Sequence, residues 1–523
     1  MSEVLGRRRA RPPTNADFPS VTRAATDPAG TTQDLGGLLP VPPTDQEKYS
    51  YTKRGSKALA IFSLLSFFAL AYCQFLMTRL SPWMWTYIPF LAFTIVYICL
   101  SQVITVMTPE FDLAAHRRLV KSWNPLSYPS VDVLLPVCGE PPEVLRNTWR
   151  NVAALRDRYG GKVTAYVLDD KSSPELQRMA GEFGFVYAGR ANRGWYKKAG
   201  NLLYGYRISH APYILLLDAD FAPRPDFLDE VLPHMEADPT LGIAQTPQFF
   251  RVLDQQTWLE RGAGAVQELF YRNIQTSLST WDGAICVGTC AVYRRAALDD
   301  NGGMTLIEHS EDVHTGFDLY RAGWKLRYLP LALSTGVCPD NVGAYVNQQY
   351  RWCSGNMSML GSRKFWGAKL PWKVRLSYLS GFFYYVHTAV STFVFPLVPI
   401  ALMLFWPNSM QVDDLIWFIP GLVYATLHHA DEICPPLGPR KELLERRQRL
   451  GVRGIERKHV QVALRCVIDL AQSLVDGGQA HPVVTCQCGV AETRRDLVVE
   501  RHQLLPAIGS FGDPFDLVAC VDQ

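Results

Sequence analysis

The chain of 523 residues lacks a dominant charge: 52 Lys and Arg stand against 49 Asp and Glu, a formal balance of +3. A balance that small gives no general attraction to nucleic acid, and none is expected as a partner. Paired cysteines are also missing. Twelve are scattered along the chain, and the close pairs Cys286/Cys290 and Cys486/Cys488 do not have the C-x2-C spacing of a zinc site. Reduced thiols in a cytosolic setting are expected, with neither a disulfide frame nor a structural metal. There is no internal repeat and no G-x-G-x-x-G, so a dinucleotide fold with its glycine fingerprint is unsupported. Nor is the first apolar run expected to be a cleaved leader. The first apolar run starts far from the N-terminus, behind a polar, proline-bearing segment with Arg7, Arg8 and Arg9. Residues 1–52 read as a disordered cytoplasmic segment.

Apolar residues are plentiful: 48% of the chain is hydrophobic and 12% aromatic, enough for two or three structural units. Two uncharged runs, 58–77 and 83–107, each have the roughly 20 residues that a helix needs to cross a hydrocarbon core of about 30 Å. A buried pair of soluble helices is the other reading. Lys53, Arg54 and Lys57 precede the first run and Arg117, Arg118 and Lys121 follow the second. Both flanks are therefore expected in the cytoplasm, with 78–82 as a tight external turn. A third run, 376–406, is long enough for an interfacial helix followed by a span, and the loop 407–414 after it carries two aspartates and no Lys or Arg, as an external loop would. A multi-pass protein of the inner or plasma membrane, with its lipid bilayer as a partner, is the expectation.

Between these runs, residues 128–370 alternate strand and helix patterns. Strands are expected at 131–135, 165–168 and 213–217, and helices at 143–155, 175–183 and 198–208. That rhythm implies right-handed crossovers and a mostly parallel sheet. Two of the strands end in acid, Asp169-Asp170 and Asp218-x-Asp220. The carboxyl ends of such strands line the ligand crevice of an open α/β sheet. Residues i and i+2 of an extended chain point the same way, so Asp218 and Asp220 can face one cation. One acidic pair could accept protons from a base and ribose while the other holds a divalent cation against a diphosphate, with Lys197, Lys198 and Asn201 between them. Blander readings stay open: solvated acidic turns, Glu311 and Asp312 as caps of a helix starting near Val313, and Gln348, Arg351 and Trp352 on an amphipathic helix at a membrane surface. His309 and His314 are expected as neighbours of the site rather than metal ligands.

VDVLLPVCGEPPE, YVLDD, KKAGN, LLLDAD, SEDVHTG and QQYRW follow one another in the order and approximate spacing of one family. By these motifs the stretch from about Ala58 to about Leu427 resembles the processive family 2 glycosyltransferases, which include bacterial cellulose synthase catalytic subunits and cellulose-synthase-like proteins. The resemblance implies a GT-A type, Rossmann-like α/β domain at 128–370, cytoplasmic and inserted between transmembrane helices. It implies that Asp169 and Asp170 contact the uridine part of a UDP-sugar donor. Lys198 lies on the diphosphate side, and Glu140, Gln348, Arg351 and Trp352 complete the donor set. Asp218 and Asp220 hold the nucleotide through Mg2+ or Mn2+. Gly288 and Thr289, where the family has F-C-G-S, lie on the acceptor side with Glu311 and Trp352. Asp312, in S-E-D where the family has T-E-D, is the general base. The bottom-up chemistry agrees, since joining a sugar C1 to a hydroxyl needs a carboxylate within reach of that hydroxyl and a cation on the departing diphosphate.

The sequence departs from the family beyond Q-x-x-R-W. The run 415–427 stops at His428-His429 and is short for a span, and 428–523 turns arginine-rich and polar. It reads either as an atypical cytoplasmic tail or as sequence out of frame. The leading expectation is a membrane-bound inverting transferase that uses a UDP-sugar, with glucose expected, to extend a β-linked polysaccharide acceptor, with accessory export subunits as further partners. A non-processive transferase to a lipid-phosphate acceptor and a catalytically impaired sugar-nucleotide-binding subunit are the alternatives.

Overall fold

The computed structural model describes residues 39–52, 57–77, 82–107, 110–253, 256–280 and 282–405. The segment 1–38, most of the turn 78–82, the loop 407–414, the run 415–427 and the tail 428–523 lie outside the described residues.

Among the described residues nine strands follow in chain order: β1 (Val131–Val137), β2 (Val163–Asp169), β3 (Val186–Ala188), β4 (Tyr213–Leu216), β5 (Ala222–Pro223), β6 (Leu241–Gln245), β7 (Ala291–Arg294), β8 (Lys325–Tyr328) and β9 (Ser334–Thr335). Seven form one sheet in the order β3-β2-β1-β4-β7-β6-β8, and β5 pairs with β9. β1 is parallel to both β2 and β4, β3 is parallel to β2, and β6 is parallel to β8. The sheet is mixed α/β and mostly parallel.

The exception is β7, antiparallel to both β4 and β6. Its reversal places the loop before β7 at the same edge as the residues after β4. Strand order switches direction between β1 and β4, the place in an open α/β sheet where a crevice forms at the carboxyl ends.

β1, β4 and β6 are buried on both faces, as their largely apolar runs require, whereas the edge strand β3 is partly exposed. Val131, Val133 and Leu135 pack under Leu145, Trp149, Val152 and Leu155 of the helix Pro142–Arg158, whose apolar residues recur at helical spacing. Leu134, Leu168, Ile214 and Leu216 face the opposite layer, with Leu202 of the helix Lys197–Ile208.

Disorder was expected through residue 52, and for 39–52 the structure corrects this. Thr44 caps a short helix, Asp45–Lys48, and Lys48 is buried between Asp226 at 2.7 Å and Glu230 at 2.5 Å. Glu230 also takes His116 Nε2 at 2.7 Å, while His116 Nδ1 lies 2.8 Å from His234. Tyr51 is buried and hydrogen-bonds Glu268, which Arg272 also holds at 2.6 Å. A paired lysine and a tyrosine with apolar walls anchor a stretch that composition alone reads as polar.

Helices run at both early apolar segments, Lys57–Met77 and Ile88–Met107, and a 34-residue helix, Trp372–Phe405, covers the third. Phe93 meets Phe383 edge-on, and His387 stacks on Tyr97 and lies 3.2 Å from Thr94. Among the described residues no helix is long and apolar enough to cross a membrane.

Candidate active site

The carboxyl ends of β1, β2 and β4 bring Glu140, Asp170, Asp218 and Asp220 to one edge. The helix Lys197–Ile208 sends Lys198 to the same place: its ammonium donates to Asp218 at 2.5 Å and to the Gly288 carbonyl at 3.1 Å, and lies 3.9 Å from Glu311. Burial alone would lower the Lys198 pKa, but Asp218, Glu311 and Asp312 together raise it. It is a permanent cation among carboxylates.

Those carboxylates outnumber it. Asp220 is pushed up to about 7, first by burial and then by Asp218 and Glu140. Glu140 is raised by burial and by Asp218, although the Cys138 N–H donates to it at 2.7 Å. Asp312 is likewise pushed up to about 7, by burial and then by Glu311, against the pull of Lys198. A carboxyl near neutrality is a stronger base than a free one.

The helix carrying these acids, Glu311–Arg321, begins at Ser310, whose φ of 55° is left-handed. Asp312 accepts from the Val313 N–H at 2.8 Å inside the first turn, but the capping position is Ser310 and no side chain caps the helix there. Its other oxygen faces the loop before β7. There Gly288, at φ 70°, has its Cα so close that an added Cβ would stand 2.6 Å from Asp312 Oδ2. Only a glycine fits.

Two of the expected contact residues are engaged within the protein. Asp169 is fully buried, and its oxygens accept from Lys171 N at 2.8 Å, Ser173 N at 2.6 Å and Tyr187 OH at 2.8 Å. It shapes the turn after β2. Thr289 is also fully buried, and its hydroxyl accepts from the Asp218 N–H at 2.9 Å. It fixes the start of D-x-D.

Asp170 keeps its place at the crevice but is held by Arg190 through both oxygens, at 2.5 and 2.7 Å. Gln348, Arg351 and Trp352 lie on the helix Val342–Leu360, which approaches the acids through Ser310: its hydroxyl donates to the Arg351 carbonyl at 3.4 Å. His314 bonds Ser358 at 2.9 Å, as a neighbour of the site.

Sequence reading missed three residues. Arg190 is one. The others are Gln245 and Gln275, both fully buried: Gln245 Oε1 accepts from Val287 N at 3.0 Å, and Gln275 donates to the Ile285 carbonyl at 2.6 Å and accepts from Ile285 N at 3.0 Å. Gln245 also donates to the Ile285 carbonyl. Together the two amides hold the loop that presses Gly288 on Asp312. Gln275 closes a π-helical turn, Phe270–Gln275, a local irregularity that often marks functional sites.

A divalent cation suits this edge. Asp218 and Asp220 stand one residue apart in an excess of buried negative charge. Among the described residues no three His, Cys, Asp or Glu side chains converge as ligands, so such a cation would be held by carboxylates plus a ligand's own oxygens, the habit of Mg2+.

Residues 213–428 match the family model described as glycosyl transferase family group 2. The chain carries a family 2 glycosyltransferase domain. It is 30% identical over 315 residues to the UDP-forming cellulose synthase 1 catalytic subunit of Komagataeibacter xylinus, covering 58% of this chain and 41% of that protein. To the corresponding subunit of Pseudomonas fluorescens it is 29% identical over 311 residues, covering 58% and 42%. The transferase domain thus resembles that of cellulose synthases, and the match spans less than half the length of these relatives. Among solved structures, a mannosyltransferase from Pyrobaculum calidifontis in complex with GDP-Man and Mn2+ aligns at 15% identity with a TM-score of 0.41, covering 65% of this chain and 97% of that one.

Proposed function

We propose that the protein is a membrane-bound inverting glycosyltransferase of GT-A type that moves a sugar, glucose by its likeness to cellulose synthases, from a UDP-sugar to a growing β-linked polysaccharide. The observation that carries this reading is the pairing of two environments at one sheet edge. The D-x-D carboxylates and Lys198 suit a diphosphate, and Asp312, with its raised pKa, faces a glycine-lined loop where a hydroxyl can approach.

In this reading Asp312 takes the proton of the acceptor hydroxyl, whose oxygen forms the new bond to C1 as the bond from C1 to the diphosphate breaks. Lys198 offsets charge on the leaving UDP from one side. A divalent cation, Mg2+ or Mn2+, would be held by Asp218 and Asp220 and would supply Lewis-acid stabilisation of the diphosphate. Asp170 and Glu140 line the donor side, and Asp169 acts through the turn it shapes. Gly288 and Glu311 border the acceptor. Arg351 suits a pyrophosphate oxygen pair, and Trp352 the apolar face of a sugar ring. Helices at 57–77, 88–107 and 372–405 would seat the domain on the cytoplasmic face of a bilayer, with 128–370 as the catalytic unit.

Membranes bearing the protein, incubated with labelled UDP-glucose and Mn2+, should yield label in long polymer. Label confined to a lipid-linked monosaccharide would replace this reading with a non-processive one, and no transfer from any UDP-sugar would overturn it.

A further inference from the structure

The loop 191–197, between β3 and the helix Lys197–Ile208, is exposed throughout, yet it is not loosely held. Arg190, at 2% exposure, anchors it from below. One guanidinium grips both Asp170 oxygens, the Trp195 carbonyl at 2.6 Å and the Lys197 carbonyl at 3.0 Å. The Gly194 N–H adds a bond to Asp170 at 3.3 Å. Packing beneath is so close that a Cβ on Gly200 would stand 2.0 Å from the Trp195 carbonyl oxygen and 2.4 Å from Arg190 Nη1.

This scaffold holds two consecutive residues, Tyr196 at φ 51° and Lys197 at φ 46°, in the left-handed region that side chains rarely adopt. Backbone strain of this kind persists where the surroundings impose it, and it clusters at functional sites. What it displays here is an aromatic pair. Trp195 and Tyr196 are 45% and 37% exposed, and their rings meet edge to face at 4.8 Å. Neither ring joins the buried core clusters on either face of the sheet. Large aromatics kept out of the core by a buried arginine call for a ligand.

Their place selects it. Trp195 is three residues from Lys198, a reach of at most about 10 Å along the chain, and Lys198 bonds Asp218. The pair is rooted through Arg190 on Asp170, just past the carboxyl end of β2. We infer that Trp195 and Tyr196 form a stacking platform for the pyrimidine ring of the donor nucleotide. This deepens the proposed function and rests on it. An uncharged planar ring gains from stacking on an aromatic face whatever its hydrogen-bonding edge. Arg190 is the positioning residue that sets the platform's height against Asp170.

The full chain in detergent, titrated calorimetrically with UDP and Mn2+, tests this, with pyrophosphate and Mn2+ as a probe that lacks the base. Trp195→Ala should weaken UDP on the order of 10-fold and leave pyrophosphate unchanged, and Trp195→Phe should restore most of the UDP affinity. Equal UDP affinity in Trp195→Ala and the wild type would overturn the inference. So would equal losses for UDP and pyrophosphate, which would make the loop merely structural. A rise in acceptor KM with UDP binding intact would also overturn it, by assigning the pair to the acceptor sugar. If the wild-type chain itself fails to bind UDP with Mn2+, it is the underlying function that falls.

Discussion

Asp220 and Asp312 define the site by what their surroundings do to them. Both carboxyls are pushed up to about 7 by burial first, then by Asp218 in one case and Glu311 in the other. The sign of the consequence follows. At pH 6 a carboxyl with a pKa near 7 is mostly protonated, and binding a cation with UDP requires the ionised form. Binding must therefore release a proton at pH 6, release progressively less as pH rises past 7, and weaken as pH falls through 7. Titration calorimetry with UDP and Mn2+ in two buffers of different ionisation heat should show close to one proton released at pH 6 and little at pH 8.5. No release at pH 6 would mean that Asp220 is already ionised or does not meet the cation.

At the scale of elements, what the sequence made legible was local. β1, β2 and β4 lie within two residues of their expected bounds because each is a mostly apolar run, and the acids at their ends are neighbours in sequence of the strands that position them. What was not legible depends on distance along the chain. Arg190 meets Asp170 across 20 residues, Gln245 meets Ile285 across 40, and Lys48 meets Asp226 across 178. The reversal of β7 gave no local signal either, because a four-residue strand reads the same in both directions. Polar composition hid the ordered segment 39–52 for a related reason: its anchors, Lys48 and Tyr51, are buried by partners far away in sequence. Lys48→Ala leaves Asp226 and Glu230 buried without their shared cation, although Arg224 and His116 remain on them. It should cost about 3 kcal/mol of stability. A lowered melting temperature and early cleavage near residue 50 in limited proteolysis would show this, with UDP affinity in the surviving fold unchanged. An unaltered melting temperature would mean that the segment adds nothing to the fold.

The whole molecule joins a mostly parallel α/β sheet to a clasp from residues 39–52, with the candidate site at the edge where β1 and β4 diverge. Family membership was legible because six short motifs keep their order, whereas the internal bonds of Asp169 and Thr289, which shape the turn after β2 and the start of D-x-D, were not. The central claim is a division of labour at that edge: Asp218 and Asp220 hold a cation and diphosphate, while Asp312 takes the proton. Titration of the full chain with UDP and Mn2+, beside a turnover assay on the same variants, tests it most directly. Asp218→Asn should lose metal-dependent UDP binding together with turnover, whereas Asp312→Asn should bind UDP near the wild-type level and lose on the order of 10² to 10⁴ in rate. Full sugar transfer by Asp312→Asn, with normal UDP and metal binding by Asp218→Asn, would contradict the account.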